Sequence, residues 1–217
     1  MKLEGQEVLG LQSPVDLVTA DAVQQEANLF FEYERKVELI VERHEESVFF
    51  VPKGSGNSIL INDDCYHLDR FYLRTPSEHA IDGKLFPAEF HLVHQNNNND
   101  FIIVAIILDG FSYSDMTCGV YRTLAQAITK RKNTSEDLEI TIDLTHVLSK
   151  ELDFFWYEGS LTTSPYTPGV RWFVGKRFLP QDILCELELA VAEKNNREIQ
   201  TRQDRQIFWG HARGRKL

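Results

Sequence analysis

Residues 101 to 108 read FIIVAIIL, an unbroken apolar run fenced by Asp100 and Asp109. A strand with one face in water alternates apolar and polar side chains. A short continuous run dense in isoleucine and valine predicts a strand covered on both faces. The run is far too short to cross a bilayer, which takes a helix of about 20 apolar residues. The chain must therefore supply packing layers on two sides of this strand.

The neighbouring sequence offers strands for that purpose. KVELIVE (36–42) alternates, and ESVFFV (46–51) ends at the turn PKGSGNS, followed by SILIND (58–63). YHLDRFYLR (66–74), AEFHLVH (88–94), LEITIDL (138–144), FWYEGSL (155–161) and VRWFVGK (170–176) continue the series, and NNNN (96–99) reads as a polar hairpin tip. The turn KGSGNS is not a phosphate loop, because it lacks a following Gly-Lys-Ser/Thr and leads into a strand. Two stretches carry helical spacing instead. SDMTCGVYRTLAQAITK (114–130) places Met116, Val120, Leu124 and Ile128 on one stripe, with Ser114 as N-cap. PQDILCELELAVAEKN (180–195) does the same with Ile183, Leu187 and Val191, starting at Pro180. Both stripes predict core-facing packing. No repeat, linker or composition break divides the 217 residues, so one domain over 1–217 is expected, with a basic C-terminal tail at 211–217.

Composition narrows the function classes. Hydrophobic residues make up 42% and charged residues 26%, ordinary for a globular chain, and the formal net charge is −10. That balance argues against a nucleic-acid surface and against attraction to anionic lipid. The one basic cluster holds Arg213, Arg215 and Lys216 and reads as a solvated tail. Glu4 and Glu7 interrupt any export signal, so an intracellular protein is expected, cytoplasmic or inside an organelle and not secreted. Cys65, Cys118 and Cys185 are odd in number and widely spaced, which predicts free thiols in a reducing compartment. CYH (65–67) is half a metal site with no second half at ligand spacing, and NTS (133–135) matches a glycosylation sequon.

QSPVDL (12–17), TPSEHAIDGKLFPAEFHLVH (75–94), GSLTTSPYTPGVRWFV (159–174) and NNREIQTRQDR (195–205) together resemble the α-type carbonic anhydrases, in that family's order and spacing. The resemblance implies an α+β, mostly β fold: about ten strands in a twisted, largely antiparallel sheet, with short surface helices. It also implies a chemistry. Members hydrate CO₂ with a zinc ion held by three histidines, two at spacing two on one strand and one on the next. Three neutral imidazoles leave the dication's charge intact and a fourth position open, so bound water ionises near pH 7.

Position by position, the paired ligands fall on Tyr72 and Arg74, and the third falls on His91. A guanidinium brings a permanent positive charge to the place of a cation, and a phenol with a pKa of about 10 is a poor ligand at neutral pH. His94 lies three residues from His91 and is expected on the other face of its strand. The resemblance keeps the surroundings. Thr162, with Thr163 beside it, matches the threonine that orients zinc-bound hydroxide, and Glu78 matches its carboxylate partner. Glu89 matches the acceptor behind the third histidine, and His79 matches a structural histidine. Val93, Leu161, Val170 and Trp172 match the apolar wall. The proton-shuttle position falls near Ser47, with His44 three residues early. A buried Arg74 needs a partner, and Glu78, Glu89 or a small anion such as bicarbonate are the choices. The disulfide of many secreted members is missing at both ends, Tyr166 standing at the second position. Only 11 residues precede Gln12 where the family has a longer Trp- and Gly-rich segment, a loss expected to leave an apolar surface open.

These readings predict a chain without zinc or other cofactor that is not an enzyme and serves as a structural or interaction subunit among other protein subunits. The alternatives are a small-anion binding module centred on Arg74, Thr162 and His91, and a zinc-dependent carbonate dehydratase with an unusual metal site.

Overall fold

The computed structural model describes residues 10–44, 47–62, 64–111, 118–134, 136–148 and 153–211. Among them the chain forms β1 (Asp16–Leu17), β2 (Val23–Gln24), β3 (Leu29–Glu32), β4 (Val37–His44), β5 (Ser47–Pro52), β6 (Ser58–Ile61) and β7 (Asp64–Arg74). It continues through β8 (Ala80–Ile81), β9 (Ala88–Gln95), β10 (Phe101–Phe111), α1 (Gly119–Lys132) and β11 (Leu138–Ile142). β12 (Asp153–Ser160), β13 (Pro168–Pro180), α2 (Gln181–Val191) and β14 (Phe208–His211) complete it. One large sheet runs β11-β4-β5-β7-β9-β10-β13-β12-β14-β2, with β3 and β6 paired to each other beside it and β6 also joined to β7. Most neighbours are antiparallel; β10–β13 and β14–β2 are parallel.

The expected fold class is what the chain adopts, and the apolar run explains its centre. On β10, Ile102, Val104, Ile106 and Leu108 point into one core layer, packed with α1, α2, Phe71 and Phe90. Ile103, Ala105 and Ile107 point into a second layer with Tyr72, Val93, Tyr157 and Trp172. Each fully buried isoleucine or valine contributes about 1.5–3 kcal/mol, so this strand anchors both layers.

The helices cover the first layer. Val120, Leu124 and Ile128 of α1, and Ile183, Leu187 and Val191 of α2, are buried there as their spacing predicts. α1 begins at Gly119 with Cys118 before it; Ser114 and Met116 lie outside the described residues. α2 follows Pro180 and ends at Val191, short of the predicted Asn195, because Ala192 takes a left-handed φ of 66°. Asn195 instead bonds the Thr75 N–H and the Leu73 carbonyl, tying the last segment onto the end of β7. The three cysteines are free, Cys118 buried and the other two exposed. No helix among the described residues is long and apolar enough to cross a membrane. The basic tail beyond His211 also lies outside the described residues.

Candidate functional site

The second core layer ends in a buried polar pocket, and strand register builds it. β7 pairs with β9 so that Tyr72 stands opposite His91 and Arg74 opposite Glu89. Period-two alternation puts Tyr72 and Arg74 on one face of β7, and Glu89, His91 and Val93 on the matching face of β9. Ala105 of β10 lies across from His91, where a small side chain leaves the imidazole room. Val170 and Trp172 close the wall and are fully buried, while Leu161 packs at its edge. His94 faces the opposite layer, its Nε2 2.7 Å from Tyr33 Oη. Burial pushes its pKa down to about 3.

Glu89 is the anchor of the pocket. Its Oε2 accepts the backbone N–H groups of Glu78 and His79 at 2.8 and 2.9 Å. Its Oε1 accepts His79 Nδ1–H at 2.6 Å and His91 Nε2–H at 2.9 Å. Burial alone would raise this carboxyl's pKa, but the charges and hydrogen bonds of His79 and His91 outweigh it and hold the pKa well below the carboxylate range. His79 continues the network, with Nε2 2.7 Å from Tyr157 Oη, which in turn donates to Ser13 Oγ. The ligand-type atoms of His79, Glu89 and His91 lie within 4.8 Å of one another, but they are spent on each other as hydrogen-bond partners.

Arg74 finds its partner in Glu78, one of the choices open in the sequence. Arg74 Nε lies 3.1 Å from Glu78 Oε1, with both side chains at most 5% exposed. The pair is not aligned as a hydrogen bond, so Arg74 Nε is left without one. The guanidinium also stacks 4.5 Å over the Tyr72 ring, and Nη1 donates to Ser47 Oγ at 3.3 Å. Burial raises the Tyr72 pKa, and the nearby Arg74 charge lowers it less than burial raises it. The expected hydrogen bond between Thr162 and Glu78 is absent: both Thr162 Oγ1 and Glu78 Oε2 are buried without an aligned hydrogen bond, Thr162 lying beside the Tyr72 hydroxyl and Glu78 Oε2 3.8 Å from His91 Nδ1. Glu78 Oε1 is fixed from behind by the Arg197 N–H at 3.0 Å. The sequence motifs do not single out Arg197, although the closing segment NNREIQTRQDR carries it. Thr163 follows Thr162 on the loop after β12, its carbonyl accepting the Tyr166 N–H. His44 is exposed beside Glu42 and lines, with Phe49 and Arg70, a cavity of about 390 Å³ along the sheet from Tyr72.

Zinc as a three-histidine site holds it does not fit these residues. Only His91 supplies an imidazole from the three positions, and the Arg74 guanidinium, paired and stacked, takes one corner.

A twisted mixed sheet ending in a His–Glu network and a buried threonine is the layout of a carbonic-anhydrase-type protein. The eukaryotic-type carbonic anhydrase family model matches residues 9–211, and the chain belongs to that family. A carbonic anhydrase of Neisseria gonorrhoeae is 31% identical over 151 residues, 69% of this chain and 58% of that protein. The chain spans about half to three-fifths of the length of the curated carbonic anhydrases it matches. Among solved structures, an α-carbonic anhydrase of Thermovibrio ammonificans in complex with sulfanilamide has a TM-score of 0.78 at 25% identity, covering 93% of this chain and 88% of that one. A dioscorin complexed with ascorbate has the same TM-score at 24% identity, covering 93% and 86%, and shares the fold.

These comparisons correct one expectation. With two ligand histidines replaced, the sequence predicts a non-enzyme. The carbonic anhydrases among its relatives and structural neighbours are enzymes by name, and they point to enzymatic function. Loss of a ligand pattern describes a site and does not by itself remove a chain from an enzyme family.

Proposed function

We propose that this member of the carbonic anhydrase family binds a bicarbonate-class anion in the pocket over His91, without a three-histidine zinc. One observation carries the reading: Arg74 Nε, ion-paired with Glu78 but off hydrogen-bond alignment, and Thr162 Oγ1, beside the Tyr72 hydroxyl, are buried donors without an aligned hydrogen bond. Leaving such groups unmet costs about 1–3 kcal/mol each, and an oxyanion would satisfy both. The charge left in the pocket sets the strength. Glu78 offsets Arg74, and Glu89 is met by four donors, so the anion gains hydrogen bonds but little net attraction. Binding in the millimolar range is the expectation, worth about 4 kcal/mol.

Titration of the full chain with bicarbonate, followed by calorimetry and by the ¹³C signal of labelled bicarbonate, tests this. Saturable binding in the wild type, weakened at least about tenfold in Arg74→Ala, supports it; that loss corresponds to one charge-assisted hydrogen bond. No saturable binding, or equal binding in both proteins, contradicts it.

A further inference from the structure

Away from the pocket, β7 brings a thiol and an imidazole together at the surface. Cys65 and His67 stand at spacing two on this strand, so both side chains leave the same face. β6 lies alongside, with Leu60 opposite Cys65 and Ser58 opposite His67. Both Cys65 and His67 are exposed, and Cys65 Sγ stands 3.9 Å from His67 Nε2.

The turn before β6 decides what that nitrogen can do. His67 Nδ1 lies 3.1 Å from the Ser55 carbonyl oxygen. A carbonyl only accepts, so Nδ1 carries the proton of the neutral ring and Nε2 presents its lone pair to the thiol. Asn57, buried, holds the turn in place: its carbonyl accepts the Leu68 N–H at 2.8 Å, and its Oδ1 accepts the Glu34 N–H at 3.0 Å. A nucleophile, a base and a group that orients the base are the parts that activate a thiol. The sulfur contact is long, and contacts of this kind tighten as the proton moves.

The other two cysteines lack these parts. Cys118 is 1% exposed at the start of α1. Cys185 is exposed on α2, but its Sγ faces Gln181 Nε2 at 3.6 Å, an amide that cannot take a proton. The same molecule therefore holds one assisted thiol and one unassisted thiol, both open to solvent.

We infer that Cys65 and His67 form a reversible thiolation site for low-molecular-weight disulfides of the glutathione class. The Cys65 S–H gives its proton to His67 Nε2, and Sγ attacks one sulfur of the incoming disulfide. The old S–S bond breaks as the new one forms, and the departing thiolate takes the proton back from the imidazolium. The small disulfide is the oxidant: Cys65 ends in a mixed disulfide and one small thiol is released. The site uses neither Arg74 nor Thr162, so it stands apart from the anion reading.

The test exposes the full chain to oxidised glutathione at pH 7, quenches with acid at intervals, and follows the adduct at each cysteine by mass spectrometry of the digest. An unassisted thiol ionises at about pH 8.5, so only a few per cent of it is reactive at pH 7. Cys65 is expected to react at least about tenfold faster than Cys185, and dithiothreitol to return the free thiol. His67→Ala is expected to slow Cys65 to about the Cys185 rate, a loss of about tenfold or more, and free imidazole to restore part of it. Cys118 is the fold control; if it reacts in His67→Ala, His67→Gln takes that variant's place. Equal rates at Cys65 and Cys185 in the wild type, or a Cys65 rate unchanged without His67, overturn the site. A loss that free imidazole does not restore overturns His67 as the base.

Discussion

Arg74 decides the character of the pocket, and its energetics are asymmetric. A buried ion pair gains little over a well-packed apolar pair, but removing one partner strands the other charge. Arg74→Met should therefore cost about 3–5 kcal/mol in urea unfolding, because Glu78 is left buried and unpaired. Arg74→Met with Glu78→Gln should recover most of that loss. Equal destabilisation in the single and double variants would show that Arg74 acts by packing on Tyr72 instead of by pairing. The sequence made the replacement of two histidines legible, since spacing two on a strand and a matching motif suffice for that. It did not show which carboxylate Arg74 meets. Glu89 lies directly opposite in register, yet Arg74 Nε pairs with Glu78, which the turn after β7 brings alongside. Nor could residue types reveal that Thr162 and Glu78 fail to bond, because that depends on side-chain aim.

At the scale of the element, β9 carries two titrating devices on opposite faces. Glu89 on the pocket face has a depressed pKa, so its stabilisation is present above the unfolded carboxylate value of about 4.3 and is lost as pH falls below it. His94 on the other face is held neutral, its pKa near 3 against about 6.5 when unfolded. The unfolded chain then binds the extra proton first, so His94 erodes stability as pH falls from about 6.5 toward 3. Unfolding free energy should decline in two stages on acidification. His94→Leu should flatten the upper stage and Glu89→Gln the lower one, each read from urea midpoints across pH. An unchanged upper slope in His94→Leu would contradict the account. The two-faced burial of β9 and β10 was legible from alternation and from the apolar run. The end of α2 was not, because the helical stripe runs on past the left-handed turn at Ala192 that stops it.

At the scale of the whole molecule, the sheet and the family are those to which the sequence motifs point. The sequence carried the fold well because its motifs lie where strands meet: QSPVDL beside β8, the β7–β9 return and the loop after β12. It carried the chemistry less well, because a missing ligand pattern reads the same whether the pocket is silent, holds an anion or holds a different ion. The central claim is that Tyr72, Arg74 and Glu78 organise the pocket without a three-histidine zinc. The most direct measurement is the zinc content of the purified, dialysed chain beside its Tyr72→His/Arg74→His variant. The account predicts well under about a tenth of a zinc per wild-type chain and about one in the variant, where three imidazoles converge again. A wild-type chain that retains about one zinc after dialysis would contradict it.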